Sequence, residues 1–191
     1  MKSSFRTLAL ALSSSALFAG AASAAETYTV DNSHTAVLFF ADHFGFSKVV
    51  GRFLQTSGEF VIDEANPANS KINLELKVDS LTTNDGKRDE HLKGPDFFNA
   101  KQFPTATFVS TSVKKSGDSF DVGGDLTIHG VKKAVTVKVK QNKKGQDPWG
   151  TTRTGFDGEI ALNRNDFGVS GVPPIPADIK LWFSVEGALK K

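Results

Sequence analysis

The sequence predicts an all-β fold, a closed antiparallel barrel or a sandwich, on three observations. Short segments alternate apolar and polar residues with a period of two. Turn-forming residues separate them at short intervals. Helical signals are scarce, so no helix layer is available to cover a sheet edge.

Taken in order, "TYTVD" (27–31) is the first strand candidate, followed by "HTAVLFFAD" (34–42), which is apolar on both faces. "GRFLQTSGEFVIDE" (51–64) alternates through Phe53, Phe60 and Ile62, with Gly58 as a bend or bulge. "KINLELKVDSL" (71–81) sets Ile72, Leu74, Leu76 and Val78 on one face and Lys71, Asn73, Glu75 and Lys77 on the other. "TATFVSTSV" (105–113) and "SFDVGGDLTIHG" (119–130) follow, the second with Phe120, Val122, Leu126 and Ile128 in phase and a bulge expected at Gly123-Gly124. "VTVKVK" (135–140), "GFDGEIALN" (155–163) and "DIKLWFSVEG" (178–187) complete eight to nine strands. Turns are expected at Asn66-Pro67, Lys115–Asp118, His129-Gly130, Asn142–Gly145 and Asp147-Pro148. One short helix is expected over 85–94, capped by Asp85 and stopped by Pro95, and a weaker one over Asp42–Val49. The Pro-rich "GVPPIPAD" (171–178) reads as a loop or edge segment.

The first residues stand apart. Lys2 and Arg6 precede an Ala/Leu-rich run that ends in Ala22-Ser23-Ala24, an A-x-A cleavage pattern, so residues 1–24 read as a secretory signal peptide and 25–191 as one domain. Residues 1–24 carry two of the 23 Lys+Arg and no carboxylate. The remainder balances 21 cations against 21 carboxylates, which argues against a nucleic-acid partner. No later segment has the length of a membrane span. The absence of cysteine excludes disulfides, thiol catalysis, Cys-bound zinc and a lipid-modified N-terminal Cys.

Fourteen of the 16 Phe lie beyond the signal segment, against one Tyr and two Trp. Phe supplies apolar area without a polar handle. Any single Phe suits a core. Together they fit a barrel that encloses an apolar guest, which about eight strands can do. The four histidines, His34, His43, His91 and His129, show no metal-ligand spacing, so neither a metal nor another cofactor is expected. There is no G-x-S-x-G elbow, phosphate-binding loop or dinucleotide fingerprint. The densest titratable stretch, "KRDEHLKGPDFFNAKQFP" (87–104), lies between two strands. It reads as a short helix over one barrel end, fixed by an Arg88–carboxylate pair, with Phe97, Phe98 and Phe103 as plug or gate. A lipid-acting enzyme built on His43, Arg88, Asp89 and His91 is the alternative, and a stress-responsive protein-binding module a third reading.

"YTVDNSHTAVLFFADHFGFSKVVGRF", "SLTTNDGKRDEHLKGPDFFNAKQFPTATFVSTSV", "GDLTIHGVKKAV" and "DPWGTTRTGFDGEIALNRNDFGV" occur in this order. Together they resemble the YceI-like family of bacterial exported proteins over about residues 26–189. The resemblance implies an eight-stranded, lipocalin-like antiparallel barrel with a long apolar tunnel. It implies a periplasmic, non-enzymatic carrier of a polyisoprenoid, either a quinone-type lipid or an isoprenyl phosphate, with a homodimer as candidate assembly. On that frame the inward faces should carry Phe39, Phe53, Phe60, Leu74, Leu76 and Phe108, then Leu126, Val137, Phe156, Ile160 and Leu181. His43, Arg52 and Arg153, near strand ends, are candidate headgroup partners. Trp149 and Trp182 either flank an opening or cover the outer face.

Overall fold

A computed structural model of the chain describes residues 24–171 and 175–191. The expected signal peptide, apart from Ala24, and the centre of the Pro-rich segment lie outside the described residues.

Eleven strands form one antiparallel sheet. In chain order they are β1 (Glu26–Val30), β2 (Ala36–His43), β3 (Ser47–Phe53), β4 (Thr56–Ile62), β5 (Lys71–Lys77) and β6 (Leu81–Thr82). After the helix α1 (Gly86–Lys93) come β7 (Thr105–Ser116), β8 (Ser119–Ile128), β9 (Val131–Gln146), β10 (Thr152–Asn163) and β11 (Asp178–Leu189). The ring β1-β4-β5-β7-β8-β9-β10-β11 closes through β1–β11 pairing, giving the eight-stranded barrel. β2, β3 and β6 prolong β1, β4 and β5 beyond short breaks, so three of the eight staves are kinked in the middle.

The breaks lie side by side and are stitched by polar groups. The Asn32 side chain donates to the Leu54 carbonyl (3.1 Å) and accepts from the Thr56 N–H (2.6 Å). Ser80 Oγ accepts from the Leu54 and Gln55 N–H groups at 3.1 and 3.0 Å. These bonds satisfy backbone groups that lose their ladder partners at the kinks.

The weaker helix expected over Asp42–Val49 does not form. That stretch is the β2–β3 hairpin, paired as far as His43 with Ser47. Left-handed Phe44 (φ 56°) and Gly45 (φ 79°) turn the chain, and the Asp42 carboxylate accepts the Gly45 N–H at 2.7 Å. Such backbone angles end a helix rather than start one. The turn expected at Asn142–Gly145 is also displaced. β9 continues to Gln146, and the register shift opposite Gly155/Phe156 makes Asn142 the extra residue of a bulge. The bulge expected at Gly123-Gly124 falls on their partner strand instead, at Thr111 between Ser110 and Ser112.

The eighth stave and the seams depend on side-chain bonds at both ends. Near the β1 end, Arg153 donates to Asp147 (2.6 Å), Asp31 (2.6 Å) and Glu186 (2.8 Å), joining the β9–β10 turn, the first kink and β11. At the opposite end Arg164 donates to the carbonyls of Val169, Ser170, Ile175 and Pro176. It thereby joins Val169 and Ser170 to Ile175 and Pro176, ahead of β11.

Candidate functional site

The period-two faces of the strands decide what the barrel encloses. On β2, Val37, Phe39 and Ala41 point inward, while Leu38 and Phe40 do not. The same alternation runs round the ring, and the inward set is almost wholly aliphatic or aromatic. The phenyl rings do not fill the space they face. Phe39 lies over its cross-strand partner Gly51, where an added Cβ would stand 2.0 Å from the ring. Phe183 lies over its partner Gly158 in the same way, at 2.4 Å. A ring laid flat on a glycine lines the wall and leaves the axis open.

What remains is a cavity of about 930 Å³ that runs from the α1 end to the β4–β5 end. That is the upper part of the roughly 300–1,000 Å³ range of small-molecule sites. At the α1 end, exposed His43, Phe44, Lys87, Arg88 and His91 line it, so it meets solvent between the β2–β3 hairpin and the helix. β3 is paired with β6 only at Arg52 and Phe53, so among the described residues Ser47–Gly51 have no ladder partner on that side. Beneath the helix, Phe97, Phe167 and Val169 form a buried cluster, and Phe98 packs edge-on to Phe53 at 5.9 Å. Phe97 and Phe98 line the cavity; Phe103 instead packs against His129, the rings tilted at 60° with centroids 4.3 Å apart. At the far end Asp63, Glu64, Ser70, Lys115 and Gln141 supply polar atoms.

Twelve of the fourteen residues expected at the site line this one cavity. They are Phe39, Phe53, Phe60, Leu74 and Leu76 from the first half of the chain, with His43 at the hairpin mouth. Phe108, Leu126, Val137, Phe156, Ile160 and Leu181 follow from the second half. Arg52 and Arg153 do not line it. Arg52 stands on the outer face of β3, one residue out of phase with Phe53. Arg153 is held outside by Asp31, Asp147 and Glu186. Trp182 is likewise out of phase with Leu181 and Phe183, and Trp149 is 85% exposed at the opposite end. Arg164, Phe167, Val169 and Ile175 also line the cavity and were missed. They lie outside the alternating segments, Arg164 and Phe167 in a single 3-10 turn (Arg164–Phe167) and Val169 and Ile175 after it; only the Asn163 cap before "RNDFGV" signals order there, accepting from the Asn165 N–H at 3.0 Å.

The titratable stretch at 87–93 is bound up in its own architecture. Asp85 caps α1 by accepting the Arg88 N–H at 3.0 Å. Among the described residues Arg88 pairs with no carboxylate, contrary to expectation; its guanidinium donates to the Thr83 hydroxyl (2.7 Å) and carbonyl (3.0 Å). Asp89 accepts from Thr82 and Thr83 instead, which holds its carboxyl below the usual range against the cost of burial. His91 Nε2 lies 3.0 Å from Asp96. The helix is thus tied to β6 on one side and to its own C-terminal turn on the other.

Outside the barrel, Asp31, His34 and Glu186 bring three potential ligand atoms within 4.8 Å of one another. The Arg153 guanidinium already neutralises both carboxylates. Hydrogen bonds from Ser33, His34 and Arg153 hold Asp31 far below the usual carboxylate range, and the Asp31 bond raises His34. This is a clamp at the first kink. At the far end Tyr28, fully buried, donates to Glu26 at 2.7 Å; burial first, and then that bond, push its hydroxyl up to about 12. Lys144 bridges Glu26 and Glu64, and those bonds raise it.

A closed antiparallel barrel around an apolar through-cavity, with its charged groups at the ends or outside, defines a binding protein. Comparison with known proteins gives the family. The profile of the YceI-like domain matches residues 28–187, and the chain belongs to that family. It is 46% identical over 186 residues to the "UPF0312 protein" of Pseudomonas syringae pv. syringae (strain B728a), covering 96% of each chain. Among solved structures, Burkholderia cenocepacia BcnA superposes with a TM-score of 0.75 at 26% identity, over 82% of this chain and 98% of that one. A polyisoprenoid binding domain from Saccharophagus degradans, implicated in plant cell wall breakdown, superposes with a TM-score of 0.66 at 16% identity. The match covers 85% of this chain and 98% of that domain and shows the shared fold. Among the described residues no helix is long and apolar enough to cross a membrane.

Proposed function

We propose that this protein carries a polyisoprenoid lipid, its tail threaded along the barrel cavity, and that it does no chemistry on it. The observation that carries the reading is the cavity itself: about 930 Å³ of nearly continuous apolar wall. Each methylene moved from water to such a wall contributes about 0.8 kcal/mol, so a chain of many isoprene units needs no charged anchor to bind. The name of the Saccharophagus domain supports the ligand class. The mouth beside α1, with Lys87, Arg88, His43 and His91, suits the polar headgroup, whether quinone or phosphate.

Catalysis is the weaker reading because three of its four candidates have structural partners: Asp89 has Thr82 and Thr83, Arg88 has Thr83, and His91 has Asp96, which leaves His43 alone at the mouth. The A-x-A pattern at Ala22–Ala24 supports export to the periplasm with residues 1–24 removed, leaving 25–191 as the working domain. A titration with prenols of increasing length tests the carrier reading. Affinity should rise with each added unit until the cavity is full, and the prenol should be recovered intact. Affinity independent of length, or a chemically altered prenol, would overturn it.

A further inference from the structure

The cavity accounts for the inward face of β2 and β3 but not for the outward one. There Leu38 and Phe40 stand beside Trp182 and Val50: Leu38 is the cross-strand partner of Trp182, and Phe40 of Val50. Val50 is 46% exposed, and at the hairpin tip Phe44 and Phe46 are 49% and 87% exposed. Exposed Phe44, Phe46 and Val50 with half-buried Leu38, Phe40 and Trp182 beside them make a partly exposed apolar patch, and such a patch marks an interaction site. Lys48 and Arg52 alternate with Val50 along the same outer face, and among the described residues neither forms an ion pair. The one carboxylate on the hairpin, Asp42, is turned to the Gly45 N–H. Phe44 belongs to the patch and to the cavity mouth at once.

We propose that the outer face of the β2–β3 hairpin docks on an anionic lipid bilayer and sets the cavity mouth against it. Aromatic side chains at the tip enter the headgroup boundary, and the two unpaired cations meet lipid phosphates. A second copy fits the same edge less well. Antiparallel pairing of two β3 edges about Val50 would set each Lys48 opposite the other chain's Arg52, like charge against like. The purpose of the docking rests on the carrier reading above, since a long prenyl chain has no appreciable aqueous supply. The geometry of the surface does not.

Flotation of the purified exported protein with phosphatidylglycerol/phosphatidylethanolamine vesicles tests this, with phosphatidylcholine vesicles as reference. Wild type should float with the anionic vesicles and much less with phosphatidylcholine. Phe46→Ser should weaken vesicle binding about tenfold, the effect of returning one phenyl ring to water. Lys48→Glu should abolish the preference for anionic lipid, and Trp149→Ser, at the opposite barrel end, should change nothing. Phe46 does not line the cavity, so uptake of farnesol from solution should be equal in wild type and Phe46→Ser, which also verifies folding. Wild type that stays unbound, or equal release by Trp149→Ser, overturns the docking proposal. So does a dimer in sedimentation that Val50→Asp dissociates while vesicle binding is absent. Wild type that floats yet takes up no farnesol overturns the carrier reading and leaves the docking surface standing.

Discussion

Gly51→Ala should narrow the cavity without unfolding the barrel. An alanine Cβ at this position would lie 2.0 Å from Cε1 and Cζ of Phe39 and 2.8 Å from its Cδ1, so its closest contacts are all with that one ring. Carbon atoms in contact need about 3.5–4.0 Å, so the ring must retreat by roughly 1.5–2 Å. The wall blocks one direction and Phe53, at 6.2 Å between centroids, crowds another. The cavity is the open direction. The added methyl should cost about 1 kcal/mol of stability, the low end for overpacking, because the ring has space to enter. Binding should suffer more. If the displaced ring keeps one five-carbon unit in water, affinity falls by about 3–4 kcal/mol at roughly 0.8 kcal/mol per carbon. A fluorescence-displacement titration across a prenol series should show unchanged affinity for the shortest chains and a growing loss for longer ones. Phe39→Leu in the Gly51→Ala background should restore the long chains. An equal loss at every length, or no loss at all, would refute the reasoning.

Four further outcomes follow from the geometry. Arg88→Ala removes both bonds to Thr83 and should speed amide exchange in α1 and lipid release, while Asp89 keeps the helix in place. The single tyrosine, Tyr28, should titrate in the ultraviolet near pH 12 in the folded protein; a midpoint near 10 would show that it is not buried against Glu26. The raised His34 contributes stability that is present below about pH 6.5 and is lost as pH rises through its folded value, so urea midpoints should fall across that range in wild type and not in His34→Gln. The depressed Asp31 contributes stability present above about pH 3.9 and lost as pH falls toward its lower folded value, and Asp31→Asn should remove that acid limb.

Period-two patterning made most of the site legible. β5, β8 and β11 put Leu74 and Leu76, Leu126, and Leu181 on the cavity wall because an uninterrupted pleat fixes the facing of every second residue. The pattern cannot show where a bulge resets that phase. In β7, Thr111 shifts the register so that Val113 shares the inner face with Phe108, an odd number of residues away. The kinks at Asp31–Thr35 and Val78–Ser80 were hidden for the same reason, since the apolar residues on each side remain in alternation. Arg153 could be seen near a strand end, but its direction depends on Asp31, more than a hundred residues earlier, and on Glu186. "HTAVLFFAD" is apolar on both faces, and the two faces have different surroundings: one lines the cavity, and the other, half-buried, lies beside Val50 and Trp182. In residues 87–104 charge density suggested chemistry, whereas the short polar segment supplies a capped helix whose charges are spent on Thr82, Thr83 and Asp96.

Native mass spectrometry of the protein purified from the periplasm of its own cells, with a lipid extract of the same sample, tests the central claim most directly. The account predicts a bound species whose mass matches a polyisoprenoid and which is lost from Gly51→Ala. Apo protein alone, together with failure to take up a long-chain quinone or prenol on incubation, would contradict it.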